Sequence, residues 1–294
     1  MSASVSRAFR PYDGERVGAA GQFWVIPRYG YRELFKSRVT LIMFVSGFFF
    51  PLVFLAAIYA RQNAQVLAIF GQSIIDDIDI DASAYIVFTY AQSWIAFYLA
   101  LWAGPTLLGR DLANNGLPLY LSRPLTRTAY IAGKALVLLG PLSIVTWVVG
   151  LLVVLFQASF EPASWLAANA RLVMAIVVGS WVSIVFYSLI ALALSVMMRR
   201  RWMARGAMLG SLFILRGVAA VVNELFDTGW GSLLSPTEVQ VAILSGLFGE
   251  DRWFGAINMR PDVPTWSAWF VFGAICAGCL AILYRRVRAY EVVR

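Results

Sequence analysis

Five long stretches of the chain carry no charged side chain: Val39 to Tyr59, Ala82 to Leu108, Ala135 to Phe156, Leu172 to Met198 and Trp266 to Tyr284. A bilayer core of about 30 Å takes roughly 20 apolar residues per helical crossing, so each stretch is long enough to span. Helices are the natural form for all five, because backbone groups in lipid must find their partners within the segment. A sixth stretch, Gly206 to Val222, is 17 residues long and contains Arg216. Counting it makes the number of crossings even and brings both ends of the chain to one side.

Shorter patterns lie between these runs. In "PRYGYRELFKSR", Pro27 to Arg38, the proline is placed to open a helix, and Arg28, Arg32 and Lys36 recur at four-residue spacing. At 100° per residue they share one side, with Tyr31, Leu34 and Phe35 on the other. This predicts an amphipathic helix on the membrane surface, anchored by Phe23, Trp24 and Tyr29 at headgroup depth. Between spans five and six, Asn223 to Thr265 includes "SPTEVQVAILSGLFGE". Pro236 is a helix start, and the apolar piece from Val239 to Phe248 is too brief to cross, so a helix dipping into or lying on the outer leaflet is expected.

Charge fixes an orientation for this plan. Nineteen of the 24 Lys and Arg residues fall in the N-terminal segment, in the connections between spans two and three and between spans four and five, or after span six. The opposite loops collect Asp76, Asp77, Asp79, Asp81, Glu161, Glu224, Asp227, Glu238, Glu250, Asp251 and Asp262. Basic residues concentrate in cytoplasmic segments, so both termini are expected in the cytoplasm. The membrane is expected to be a bacterial plasma (inner) membrane, which the charge pattern does not itself specify. The composition agrees: 60% hydrophobic and 14% charged residues, with a mean hydropathy of +0.73, leave too little polar surface for a soluble globule. The net charge of +8 then serves orientation and contact with lipid headgroups, and no nucleic-acid partner is expected. The first 38 residues lack the apolar core and cleavage site of a secretory signal, so span one is expected to do the targeting. The expected fold class is all-α: a polytopic bundle of six transmembrane helices forming one domain over residues 1–294. Residues 1–38 hold the cytoplasmic N-terminus with its interfacial helix, 39–285 the six spans, and 286–294 a cytoplasmic tail.

Chemistry of its own is not expected. The chain has no histidine, which removes the Ser-His-Asp triad, the Cys-His pair and the HExxH zinc site. Gly133-Lys134 is followed by Ala135 and lacks the remainder of a phosphate-binding loop, so any ATP is expected on another chain. Asp77, Asp79 and Asp81 alternate like calcium ligands, yet the loop glycine and the closing glutamate are missing, and a solvated acidic cap before the next helix is the better reading. Cys276 and Cys279 stand inside span six, where desolvation opposes a thiolate; with Gly273 and Ala277 they read as small helix-packing residues. No catalytic residue and no metal ligand is assigned.

The segment between spans two and three is longer than a bundle turn requires: Gly109 to Lys134. Asn114, Asn115 and Gly116 tolerate the left-handed backbone that closes a helix. Leu117, Leu119, Tyr120 and Leu121 give it an apolar side, Ser122 and Pro124 can start a new turn, and Thr126 is a further cap for span three. Asp111, Gly116, "LPLYL", Ser122-Arg123-Pro124, Arg127 and Gly133-Lys134 follow in an order that resembles the six-span permease subunits of type-2 ATP-binding-cassette exporters. Two positions depart from that pattern: aspartate stands where glutamate is commoner, and Leu117-Pro118 replaces the polar residue after the glycine. The resemblance implies that Asp111, Asn114, Gly116, Ser122, Arg123, Pro124 and Arg127 form the contact with a cytoplasmic ABC ATPase. It further implies ATP and Mg in that partner with no cofactor on this chain, and a second permease protomer, identical or related, completing the translocation path among membrane lipids.

Arg216 leaves two readings open. At the middle of a span an arginine costs about 2.5 kcal/mol or more unless it faces water or a partner. It is either a pathway residue for a polar or anionic cargo, or it reaches outward to the acidic loop, with Glu224 as partner. The alternative to a transporter is a non-transporting membrane anchor or assembly factor whose inner segment docks another protein.

Overall fold

The computed structural model describes residues 19–63, 80–109, 126–198, 200–249 and 263–287; these form helices with no strand among the described residues. Six are long and apolar enough to cross a membrane: Arg38–Gln62 (span one), Ala82–Leu107 (two), Arg127–Ala158 (three), Ala170–Met197 (four), Arg201–Phe226 (five) and Thr265–Arg286 (six). Each apolar run of the sequence has its helix, and the arginine-bearing run is the fifth. Spans two, three and four are buried over more than half of their apolar stretch, whereas one, five and six are buried over about a sixth. The first three therefore make the core, and the others show apolar faces outward, as lipid-facing helices do.

Polar residues at the helix starts satisfy N–H groups that have no partner within the helix. Thr126 accepts from the Ala129 N–H at 3.2 Å, and the Asp81 carboxylate from the Ala84 N–H at 3.1 Å and from the Ser83 hydroxyl at 2.6 Å. Ser37 and Ser235 cap span one and the helix Pro236–Phe248 in the same way. Asp81 thus fills the expected role of acidic cap; Asp76, Asp77 and Asp79 lie outside the described residues.

Two spans are interrupted. Span one breaks between Ser46 and Phe49. Pro51 has no N–H to offer the carbonyl of Gly47 four residues earlier, and that carbonyl instead accepts from the Gln92 side chain of span two at 3.1 Å. Span three passes through a π-helical turn, Ile144–Val148, shortly after Pro141. The two irregularities touch: a β-carbon on Gly47 would come within 2.9 Å of the Val145 side chain.

The N-terminal helix runs from Ala19 to Leu34 with Pro27 inside it, which corrects the expectation that Pro27 opens it. One intrahelical bond is lost, but the helix carries on because Ile26, Pro27, Gly30 and Leu34 make a buried stripe. That stripe lies against span three. Ile26 sits on Gly133, Val137 fills the space where Gly30 has no side chain, and the Tyr31 ring covers Gly140. The Tyr31 hydroxyl donates to the Leu136 carbonyl at 2.6 Å, and burial raises its phenol above the usual pKa. Arg28, Arg32 and Lys36 are exposed on the other side.

In span six, Cys276 and Cys279 are free, half-buried thiols. Cys276 packs at the edge of the central cluster, whereas Gly273 faces open space, so the expected small-residue packing is realised only in part among the described residues.

Candidate functional site

Of the inner-segment residues singled out above, Asp111, Asn114, Gly116, Ser122, Arg123 and Pro124 lie outside the described residues. Arg127 is described. It is the first residue of span three, exposed, directly after the Thr126 cap. Its place at the basic end of the bundle follows from connectivity, since spans one, three and five begin there and two, four and six end there.

The second singled-out position is Arg216. It stands fifteen residues beyond Arg201 and ten before Phe226, so it is close to the middle of span five. Its Nε lies 3.2 Å from a carboxylate oxygen of Glu238, and the two side chains are 54% and 29% exposed. The partner is therefore Glu238 and not Glu224. The reason is the fold of the connection: after Asp227, in a left-handed conformation, and a 3-10 turn at Trp230–Leu234, the helix Pro236–Phe248 returns alongside span five. Tyr90 of span two is near enough to feel both charges. Sequence reasoning missed Glu238, although a lone carboxylate in the first turn of an apolar helix was the available signal.

Two residues after Glu238 a buried line of uncharged polar groups begins. The Tyr187 hydroxyl donates to Gln240 Oε1 at 2.5 Å, Gln240 Nε2 donates to the Ser183 hydroxyl at 2.6 Å, and Ser183 passes its own hydrogen to the Gly179 carbonyl at 3.0 Å. Ser183 and Tyr187 belong to the middle of span four, so the start of the short helix lies at that level. Its far end lies at the opening of the same span, where Arg171 donates to the carbonyls of Leu247 at 3.1 Å and Gly246 at 3.2 Å. Between these points Leu244 occupies the space where Gly179 lacks a side chain. Ten of the helix's residues are buried, which accounts for its apolar sequence by contact with spans two, four, five and six.

The resulting site is an exposed-to-half-buried ion pair backed by neutral hydrogen bonds. It can bind and orient polar or charged groups, and among the described residues it brings together no nucleophile with an adjacent base. At the acidic end, Arg61, Asp81, Gln157, Glu161 and Trp165 help to line a cavity of about 510 Å³.

A family model described as ABC-2 family transporter protein matches residues 29–290. The chain belongs to that family. The match begins within the N-terminal helix and ends past span six, so it takes in every span of this permease. It is a membrane transport component of an ABC transporter, multi-pass by its six apolar helices. A search of curated proteins returned no match.

Proposed function

We propose that this permease is an exporter subunit that works as a pair of protomers, identical or related, and is driven by a separate cytoplasmic ATPase that holds the ATP and Mg. The observation that carries the reading is the Arg216–Glu238 pair. A half-exposed arginine at mid-span is costly against hydrocarbon, by about 2.5 kcal/mol or more, so this face of span five is better matched to a wet path or a second protomer than to lipid. The contacts of Pro236–Phe248 with the middle and the opening of span four support reading it as a re-entrant helix that supplies Glu238 to the path. The charge asymmetry supports cytoplasmic termini, and a bacterial inner membrane is part of the same proposal.

Coupling follows from linkage: ATP binding can change which side the path opens to only through a contact that differs between two states. The segment with Asp111, Asn114, Gly116, Ser122, Arg123, Pro124 and Arg127 is assigned that contact, because it is the long connection at the basic end. The experiment is co-purification under mild detergent followed by ATPase measurement on the reconstituted complex. An ATPase is expected to accompany the chain, and Arg123→Glu with Arg127→Glu is expected to uncouple it while the permease still inserts. Normal coupling in that double variant removes the segment from the mechanism, and a stable non-ATPase partner supports the anchor or assembly-factor reading instead.

A further inference from the structure

The N-terminal helix, the starts of spans one, three and five and the end of span two enclose a cavity of about 280 Å³ at the basic end of the bundle. Among the described residues, Lys134, Arg201 and Arg205 line it together with the Glu33 carboxylate. Lys134 is only 9% exposed. Arg205 lies flat on the Trp102 ring, 3.8 Å from its centre, and gives one N–H to the Trp102 carbonyl at 3.1 Å. Its Nε is buried without an acceptor. Arg201 and Arg205 are one helical turn apart, a spacing at which like charges repel. Such a cluster is stabilised by an anion between its members, and guanidinium groups suit phosphate oxygens in particular.

The rest of the wall selects the kind of anion. Val25, Ile26, Leu34 and Leu107 make part of it apolar, which offers nothing to a hydrated free phosphate. Around the cavity Trp24, Tyr29 and Trp202 are 61%, 67% and 66% exposed, the placement of aromatic rings at a membrane–water boundary. We propose that this cavity binds the phosphate of an anionic phospholipid from the adjoining leaflet, the guanidinium groups holding the phosphodiester and the apolar wall its glycerol and upper chains. The bound lipid ties the N-terminal helix to spans two and five. The inference rests on the membrane-spanning arrangement and is independent of the transport cycle proposed above.

The test is native mass spectrometry of the full chain released from detergent. Washed protein is expected to retain one phospholipid and, once stripped, to regain it from dioleoyl phosphatidylglycerol but not from dioleoyl phosphatidylcholine. Arg201→Gln with Arg205→Gln is expected to weaken retention about 30-fold. Arg285→Gln with Arg286→Gln removes the same charge from the exposed end of span six and is expected to leave it unchanged. Arg201 is an exposed side chain, so Arg201→Gln alone, expected to weaken retention about fivefold, keeps the test open if the double variant does not fold. Equal uptake of the two lipids, unchanged retention in both Arg201 variants, or displacement by inorganic phosphate alone overturns the proposal.

Discussion

The Gln92 side-chain amide of span two donates to the backbone carbonyl of Gly47 in span one at 3.1 Å, replacing the bond that Pro51 cannot make. A buried carbonyl without a donor costs about 1–3 kcal/mol, so Gln92→Leu is expected to destabilise the permease by that amount. Thermal unfolding in detergent measures it. No change would mean that water reaches the break in span one.

Neutralising Arg216 or Glu238 alone leaves a charge unpaired at mid-span, whereas neutralising both removes the charge. A double-variant cycle with Arg216→Gln and Glu238→Gln is expected to give a coupling of roughly 0.2–1 kcal/mol, as for pairs in contact with water. That coupling is expected to shrink as salt rises from about 0.1 M to about 1 M, where screening shortens. A coupling insensitive to salt would show the face to be sealed from water and would remove it from the path.

Docking of the N-terminal helix depends on close approach at Gly30 and on the Tyr31 hydroxyl. Gly30→Leu would drive a side chain into Val137, and faster tryptic cleavage after the exposed Arg28 and Arg32 is the expected result. Tyr31→Phe loses the bond to Leu136, worth about 1 kcal/mol.

Tyr31 also predicts a pH dependence. Burial raises its pKa in the folded state above the ordinary 10.0, so the folded form keeps its proton where the unfolded form has lost it. The stabilisation is complete below pH 10 and declines as pH rises through the folded-state value. The melting-temperature advantage of the native chain over Tyr31→Phe is therefore expected to narrow in strong alkali, and a constant advantage would place the hydroxyl in solvent.

Arg171 clasps the far end of the short helix, and Gly249 next to it has a φ of +75° that favours glycine. Arg171→Gln and Gly249→Ala are each expected to speed hydrogen exchange between Gly246 and Gly249, the first by releasing two carbonyls, the second by strain and by crowding the guanidinium. Protection equal to the native chain would show that burial alone fixes this end.

Most of the bundle was legible because a run of apolar residues long enough to cross has one structural solution in lipid. Asp81, Thr126 and Pro236 were legible for a local reason, since caps depend on neighbours within three residues. The break in span one was hidden inside an unbroken apolar string; only the spacing of Gly47 and Pro51 marked it, and nothing local pointed to Gln92. The Glu238 partner was hidden because 22 residues separate it from Arg216 and the turn between them decides the meeting. Pro27 misled because a proline inside a helix resembles one that begins it, and the stripe that holds the helix together rests on a span a hundred residues away.

The contact between Gly47 and Val145 joins the one place in span one and the one stretch in span three where, among the described residues, the regular hydrogen-bond ladder is already interrupted. The two rods are thus notched at the same height and meet at the notch. A side chain larger than hydrogen at position 47 would push the Val145 methyl aside, so the two notches can stay seated on each other only while that position remains bare.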